Sequence, residues 1–139
     1  MHHNLVKNLL LKFPIALLLI FNSSHVAADT NSDRLAIFHQ YCNNRKASVA
    51  LSIMYFFGEK MSINEVNEKI ISTLNQKKID DKEQDLILDD VNVHLKSMQR
   101  RIDAGDSRIA IAYDQPMDFA KIVSDSDYQK CLEMISRIR

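Results

Sequence analysis

The chain has 139 residues, of which 46% are hydrophobic, and its 18 basic and 18 acidic side chains leave no net charge. This length fits one domain, and the balanced charge argues against the basic surface that DNA or RNA binding requires. With only two glycines and two prolines, the composition favours long regular elements over loops.

The N-terminal segment has the three parts of a secretory signal peptide. A lysine-bearing start without acidic residues precedes the short apolar run Phe13–Phe21, and the small residues of Val26–Ala28 suit a signal peptidase. The apolar run is shorter than the roughly 20 residues of a membrane span. We therefore predict a signal peptide over 1–28 and a mature single domain over 29–139. The mature domain is expected free of the membrane in the periplasm, with secretion from the cell as the alternative.

Apolar residues at steps of three, four and seven predict the first two helices. The first covers Leu35–Phe57 and ends at Gly58, and the polar stretch Asn43–Lys46 either bends or divides it. The second begins at a capping box, Ser62–Glu65, in which each residue binds a free backbone N–H group of the other. Its apolar pattern ends near Gln76–Lys78.

The third helix has the most regular apolar stripe and ends at Gly105. That stripe comprises Leu88, Val91, Leu95, Met98 and Ile102. Residues 108–113 are either a short helix or an extended segment. Pro116 suits the first turn of a further helix, and the polar stretch Ser124–Asp127 separates it from a last helix over 128–138.

Both cysteines, Cys42 and Cys131, fall on apolar stripes of the first and last predicted helices. In an exported small domain, an even pair predicts a disulfide rather than a catalytic thiol. Closing so long a loop contributes about 4–5 kcal/mol in chain-entropy models. With no paired strands, the chain is predicted to be an all-α bundle of four to five helices, with one disulfide linking its first and last helices.

Residues that carry catalysis or bind metals and nucleotides are sparse. His39 and His94 are the only histidines of the mature part, and no pair of histidines or cysteines has metal-ligand spacing. Gly58 and Gly105 are isolated, which argues against a phosphate-binding loop. The tract Met54–Phe57 is predicted to be core rather than a ligand pocket. We therefore predict no enzymatic activity, no metal and no cofactor; a hydrolase would need one of these histidines hydrogen-bonded to a serine in a cleft.

A row of carboxylates marks the third helix as the candidate partner-binding element. Asp81, Asp85 and Asp89 stand four residues apart and repel one another at that spacing. They predict either a docking stripe for a basic partner or cation, or a solvated face near the positive end of the helix. The glycine and final glutamate of a calcium loop are missing. Arg100 and Arg101 make the other end basic, which matches the helix dipole.

The layout resembles Rap/Tai-type immunity proteins. The likeness consists of a signal peptide, a small helical domain, Cys42 in the first helix and Cys131 near the end. Members of that family neutralise peptidoglycan-cleaving effectors of the type VI secretion system in the periplasm. The resemblance implies a protein that plugs the cleft of a secreted cell-wall amidase and often forms a homodimer. No inhibitory residue is carried over, because the likeness includes no motif.

Two functions follow as expectations. The first is an exported, non-enzymatic protein-binding domain that inhibits an enzyme, with toxin immunity as its specific form. The second is a periplasmic chaperone or envelope-stress protein, which would loosen at acid pH and bind many unfolded proteins weakly.

Overall fold

The structure is a computed structural model that describes residues 28–137, with side chains from residue 31 onward. The predicted signal peptide lies outside these residues except for Ala28. The described part contains five α-helices and no strand, which confirms the predicted all-α class. The helices are α1 (Ala28–Ile53), α2 (Ile63–Gln76), α3 (Asp81–Asp103), α4 (Ala110–Asp114) and α5 (Pro116–Ser136). A π-helical turn, Met54–Gly58, follows α1, and a 3₁₀ turn, Ser107–Ile109, precedes α4.

Local chemistry sets the helix ends, largely as predicted. The capping box before α2 is present: the Ser62 hydroxyl accepts from the Glu65 N–H, and the Glu65 carboxylate accepts from the Ser62 N–H at 2.8 Å. The Asp80 carboxylate accepts from two N–H groups in the first turn of α3. Gly105 follows α3 at φ 69°, a left-handed conformation that glycine adopts without strain. Pro116 begins α5, where its missing N–H costs nothing.

Two polar stretches do not divide their helices: of the two alternatives at Asn43–Lys46 the division is absent, and so is the break predicted at Ser124–Asp127. Asn43–Lys46 lies inside α1, and Ser124–Asp127 lies inside α5, which is one helix from Pro116 to Ser136. The prediction of two separate helices there is wrong. The Ser124 hydroxyl donates to a carbonyl of its own helix, and the Asp127 carboxylate accepts from a side chain of α1. These polar residues therefore mark positions where helices are joined. The ambiguous segment 108–113 is a 3₁₀ turn followed by the short helix α4.

An aromatic cluster fixes the end of α1 against α4 and α5. Phe56 and Phe57 are buried, as predicted for this tract. The ring of Phe57 lies 4.9 Å from that of Tyr113 and 5.7 Å from that of Phe119, both edge-on. Edge-to-face contacts hold rings at defined angles, so this cluster sets where α5 begins.

The core lies where α1 packs against α3 and α5 and where α2 packs against α3. Its largest fully buried side chains are Phe57, Ile53, Ile70, Leu74, Ile87, Leu95, Val49, Val66 and Val91. Leu88 and Ile102 of the predicted α3 stripe are only half-buried, and Ile87 is buried in addition. The buried face of α3 is therefore turned slightly from the predicted one, because α3 contacts both α1 and α2.

The disulfide Cys42–Cys131 joins α1 to α5 and confirms the predicted link between the first and last helices. The two cysteines are 89 positions apart, with Cα atoms 5.8 Å from each other, and both are buried. Neither thiol is free for chemistry. Among residues 28–137, no helix has both the length and the apolar character to cross a membrane.

Candidate functional site

A cluster of charged side chains lies where α1, α3 and α5 meet. We call Arg45, Asp90, His94 and Asp127 the ionic cluster. Arg45 comes from the middle of α1, Asp90 and His94 are one turn apart on α3, and Asp127 comes from α5. Arg45 donates to both carboxylate oxygens of Asp127, from Nε at 2.9 Å and from Nη2 at 2.7 Å. Such a two-point pair fixes orientation as well as distance.

Asp127 remains ionised in this cluster although it is only 3% exposed. Burial opposes ionisation, but hydrogen bonds from His94 and Arg45 outweigh it and lower the pKa of Asp127 to about 2. His94 Nε2 lies 3.1 Å from Asp127 Oδ1 and must be the donor, because an ionised carboxylate only accepts. Burial opposes the charge of Arg45, but the carboxylates of Asp127 and Asp90 outweigh it and raise the pKa of Arg45, which stays charged.

Asp90 differs from Asp127, because its surroundings favour the protonated form of the carboxyl group. Its Oδ2 lies 2.8 Å from Arg45 Nε, yet that nitrogen carries one hydrogen, and the hydrogen points at Asp127. Asp90 Oδ2 is therefore a buried acceptor without a hydrogen-bond donor. Burial raises the pKa of Asp90 to about 6; Arg45 opposes this rise and the nearby Asp127 adds to it. The cluster thus holds a proton at Asp90 in mildly acidic solution.

Three members of the cluster also have the chemistry of metal ligands. Asp90, His94 and Asp127 each offer one ligand atom, and these atoms lie within 4.8 Å of one another. The guanidinium of Arg45, however, already lies against both carboxylates, at 2.8 Å from Asp90 and 2.7 Å from Asp127. A dication would have to share these oxygens with a fixed positive charge. The arrangement suits a guanidinium and a proton better than a metal ion.

The histidines do not form the serine pair that a hydrolase would need. His94 binds Asp127, and His39 is exposed on α1. Among the hydrogen bonds of residues 31–137, none joins a histidine to a serine.

A groove runs beside the ionic cluster, between α3 and α5. Both helices pack on α1 but make few direct contacts with each other. The space between them, which we call the α3–α5 groove, has a volume of about 310 Å³. It is lined by His94, Ser97, Met98 and Arg101 of α3 and by Phe119, Ile122, Val123, Ser126, Asp127 and Lys130 of α5. The ionic cluster thus contributes two side chains to the groove wall.

Several apolar side chains of α4 and α5 are exposed, and one of them, Ile122, lines the groove. Ile122, in its wall, is 65% exposed, and Met117, nearer the start of α5, is 71% exposed. Ile111 and Tyr113 of the neighbouring α4 are also exposed. Single exposed apolar side chains are common on protein surfaces, whereas an exposed apolar side chain in the wall of a groove is a feature of interaction sites.

The predicted docking stripe lies elsewhere. Asp81, Asp85 and Asp89 are exposed in the first half of α3, and none of them takes part in a hydrogen bond or ion pair within the described residues. Asp90, next to Asp89 in sequence, points to the buried side instead. The stripe is therefore separate from the ionic cluster, and its docking role stays a prediction.

Sequence reasoning did not find the cluster or the groove. The four ionisable residues of the cluster come from three helices, and only Asp90 and His94 share a local signal, a spacing of four on one helix. Comparison with protein-family models, curated proteins and solved structures found no match to this chain.

Proposed function

We propose that this chain is an exported, non-enzymatic protein-binding domain. Its specific form would be an immunity protein that inhibits a peptidoglycan-cleaving enzyme in the periplasm. The observation that carries the proposal is the apolar wall of the α3–α5 groove, in which Ile122 is 65% exposed beside Phe119 and Val123. Apolar surface beside a groove is typical of protein-interaction sites.

The disulfide supports the proposed location outside the cytoplasm. Bonds such as Cys42–Cys131 persist in oxidising compartments and are rare where thiols are kept reduced. The bond also holds α5, which carries most of the groove wall, against α1. A surface that is rigid before binding loses less entropy when it binds, which suits a tight inhibitor.

The chaperone alternative shares the exposed apolar surface but differs in its response to acid. Such a chaperone would loosen at acid pH as its buried carboxylates take up protons. In this chain the raised pKa of Asp90 means that the folded state gains from protonation between pH 6 and pH 4. The ionic cluster therefore resists mild acid but not strong acid, in which Asp127, with its pKa of about 2, loses its contribution.

The test is capture of partners by the tagged chain, exported with its own N-terminal segment and purified from the envelope. We expect one protein at near-equal amounts with the wild-type chain and its loss with Ile122→Glu. Val93→Glu is the matched control, since Val93 is equally exposed at 65% but lies outside the groove lining. The captured protein should lose peptidoglycan-cleaving activity when the chain is added.

Three outcomes would contradict this function. Recovery of many unrelated proteins at low amounts would favour the chaperone. Recovery of none would remove the binding proposal altogether. Equal capture by the Ile122→Glu and Val93→Glu variants would show that the exposed apolar groove does not carry the binding. The homodimer implied by the resemblance is tested separately by analytical ultracentrifugation.

A further inference from the structure

We propose that the α3–α5 groove binds an acidic, partly apolar segment of a partner protein, with apolar side chains in the groove and carboxylates at Lys130 and Arg101. This inference rests on the proposed protein-binding function and names the surface and the chemistry of the partner.

The floor of the groove is apolar and held in place. Met98 is buried in the core, and Phe119 is fixed by its edge-on contact with Phe57 at 5.7 Å. Ile122 and Val123 complete the apolar wall from α5. A volume of 310 Å³ holds roughly ten waters at about 30 Å³ each, so an apolar side chain that enters releases water from apolar surface.

The charges around this floor are positive. Lys130 is exposed and takes part in no ion pair within the described residues. Arg101 binds Asp106 at 2.9 Å, but Arg108 binds the same carboxylate at 2.9 Å, so two guanidinium groups share one negative charge. With Arg100 and Asp103 of the same turn counted, three guanidinium groups stand against two carboxylates, so one positive charge remains in excess at this end of α3.

No negative charge in the groove opposes an acidic partner. The one carboxylate among the lining residues is Asp127, which is buried and neutralised by Arg45. The acidic stripe of Asp81, Asp85 and Asp89 lies in the first half of α3, whereas the groove lies along its second half. Complementary charge raises association rates and excludes partners of the wrong sign.

The probes that test this are two labelled 12-residue peptides. Both place leucines on one face of a helix; one carries glutamates on the other face, and the matched peptide carries lysines there. Binding to the purified, disulfide-bonded chain is measured by fluorescence anisotropy at low and high salt. We expect the glutamate peptide to bind at least about tenfold more tightly, with affinity that falls as salt rises.

Charge reversal then separates the groove from the rest of the surface. Lys130→Glu should weaken the binding of the glutamate peptide by about tenfold and strengthen the binding of the lysine peptide. Ile122→Ser should weaken the binding of both peptides. Val93→Ser should leave the binding of both unchanged, because Val93 is equally exposed but lies outside the groove. Far-UV circular dichroism of each variant checks that the fold is kept.

Several results would overturn the inference. The first is equal affinity for the two peptides, and the second is an affinity for the glutamate peptide that Lys130→Glu leaves unchanged. The third is a loss of affinity with Val93→Ser as large as that with Ile122→Ser. The fourth is self-association of the chain that blocks the groove. The capture experiment keeps the two proposals apart. If the wild-type chain captures no protein, the proposed function fails. If Lys130→Glu captures the same protein as well as wild type does, the proposed function stands and the groove inference fails.

Discussion

Helix α5 faces α1 on one side and α3 on another, and these two contacts differ in kind. Toward α1 it is joined by the disulfide Cys42–Cys131, by the Arg45–Asp127 pair and by an ion pair between Lys46 and Asp125 at 2.8 Å. We call this contact the α1–α5 seam. Toward α3 its polar contacts are those of Asp127 with His94 and Asp90, and beside them lies the α3–α5 groove. One side of α5 is thus closed for stability, and the other is open to solvent.

The spacing of residues explains why the seam is closed. Cys42 and Arg45 are three positions apart on α1, and Asp127 and Cys131 are four apart on α5, so each pair lies within one helical turn. A covalent and an ionic link therefore hold adjacent turns of the same two helices. Because the α1–α5 seam holds α5 in place, α5 can leave the α3–α5 groove unfilled on its other side. The predictions below test that division, from the largest expected effect to the smallest.

Loss of the disulfide should have the largest effect on the seam. Replacing Cys42 and Cys131 together by alanine should lower the free energy of unfolding by about 4–5 kcal/mol, because the unfolded chain regains the entropy of a long open loop. Urea denaturation followed by far-UV circular dichroism measures this. A loss below about 1 kcal/mol would mean that the seam does not depend on its covalent link.

Removing the half-buried positive charge of Arg45 from the seam should have the second-largest effect on stability. Arg45→Met leaves Asp127 buried without its counter-charge and should lower the free energy of unfolding by about 3–5 kcal/mol. The matched control is Lys46→Met, whose ion pair with Asp125 has side chains 39% and 40% exposed and should cost no more than about 1 kcal/mol. If urea denaturation gave similar losses of unfolding free energy for the two variants, burial would not explain why the Arg45–Asp127 pair matters more.

The pH dependence of stability should reveal the proton at Asp90. Its pKa in the folded state, about 6, is above its ordinary value of about 4, so its contribution is complete below pH 4 and is lost as pH rises through 6. Asp127 acts in the opposite sense: its pKa of about 2 gives a contribution present above pH 4 and lost as pH falls toward 2. Burial raises the pKa of the adjacent Tyr41, which stays neutral throughout.

Asp90→Asn is the variant that isolates this effect, since it keeps the shape and cannot titrate. We expect the fall in unfolding free energy between pH 4 and pH 7 to become smaller than in wild type, while the acid limb due to Asp127 stays. Parallel urea titrations across this pH range measure both limbs. An unchanged slope in the variant would place the proton elsewhere.

The smallest effect on stability is expected in the groove. Ile122→Ser should change the free energy of unfolding by no more than about 0.5 kcal/mol, because a side chain that is 65% exposed contributes little to the core. The same substitution should nevertheless abolish capture of the partner. A stability loss above about 1 kcal/mol would mean that Ile122 serves the fold rather than binding.

The helices and most of their ends could be predicted from local signals. The Ser62–Glu65 capping box, Pro116 at the start of α5 and Gly105 after α3 each act within a few residues, so their chemistry is visible in the sequence. The disulfide was also predictable, since only two cysteines exist and each lies on an apolar stripe. The same local logic failed at Ser124–Asp127, where polarity predicts a break that the structure does not have.

The sequence by itself determined the all-α class, the capped helix ends and the covalent link, because each depends on neighbouring residues or on a count of cysteines. The tertiary structure decided that Arg45 and Asp127, in stretches that look like solvent-facing polar residues, are buried partners. It also decided that α3 and α5 leave a groove beside the contacts of Asp127 with His94 and Asp90. Burial of a charge and the gap between two helices both depend on how helices distant in sequence are placed, and no local pattern specifies that placement.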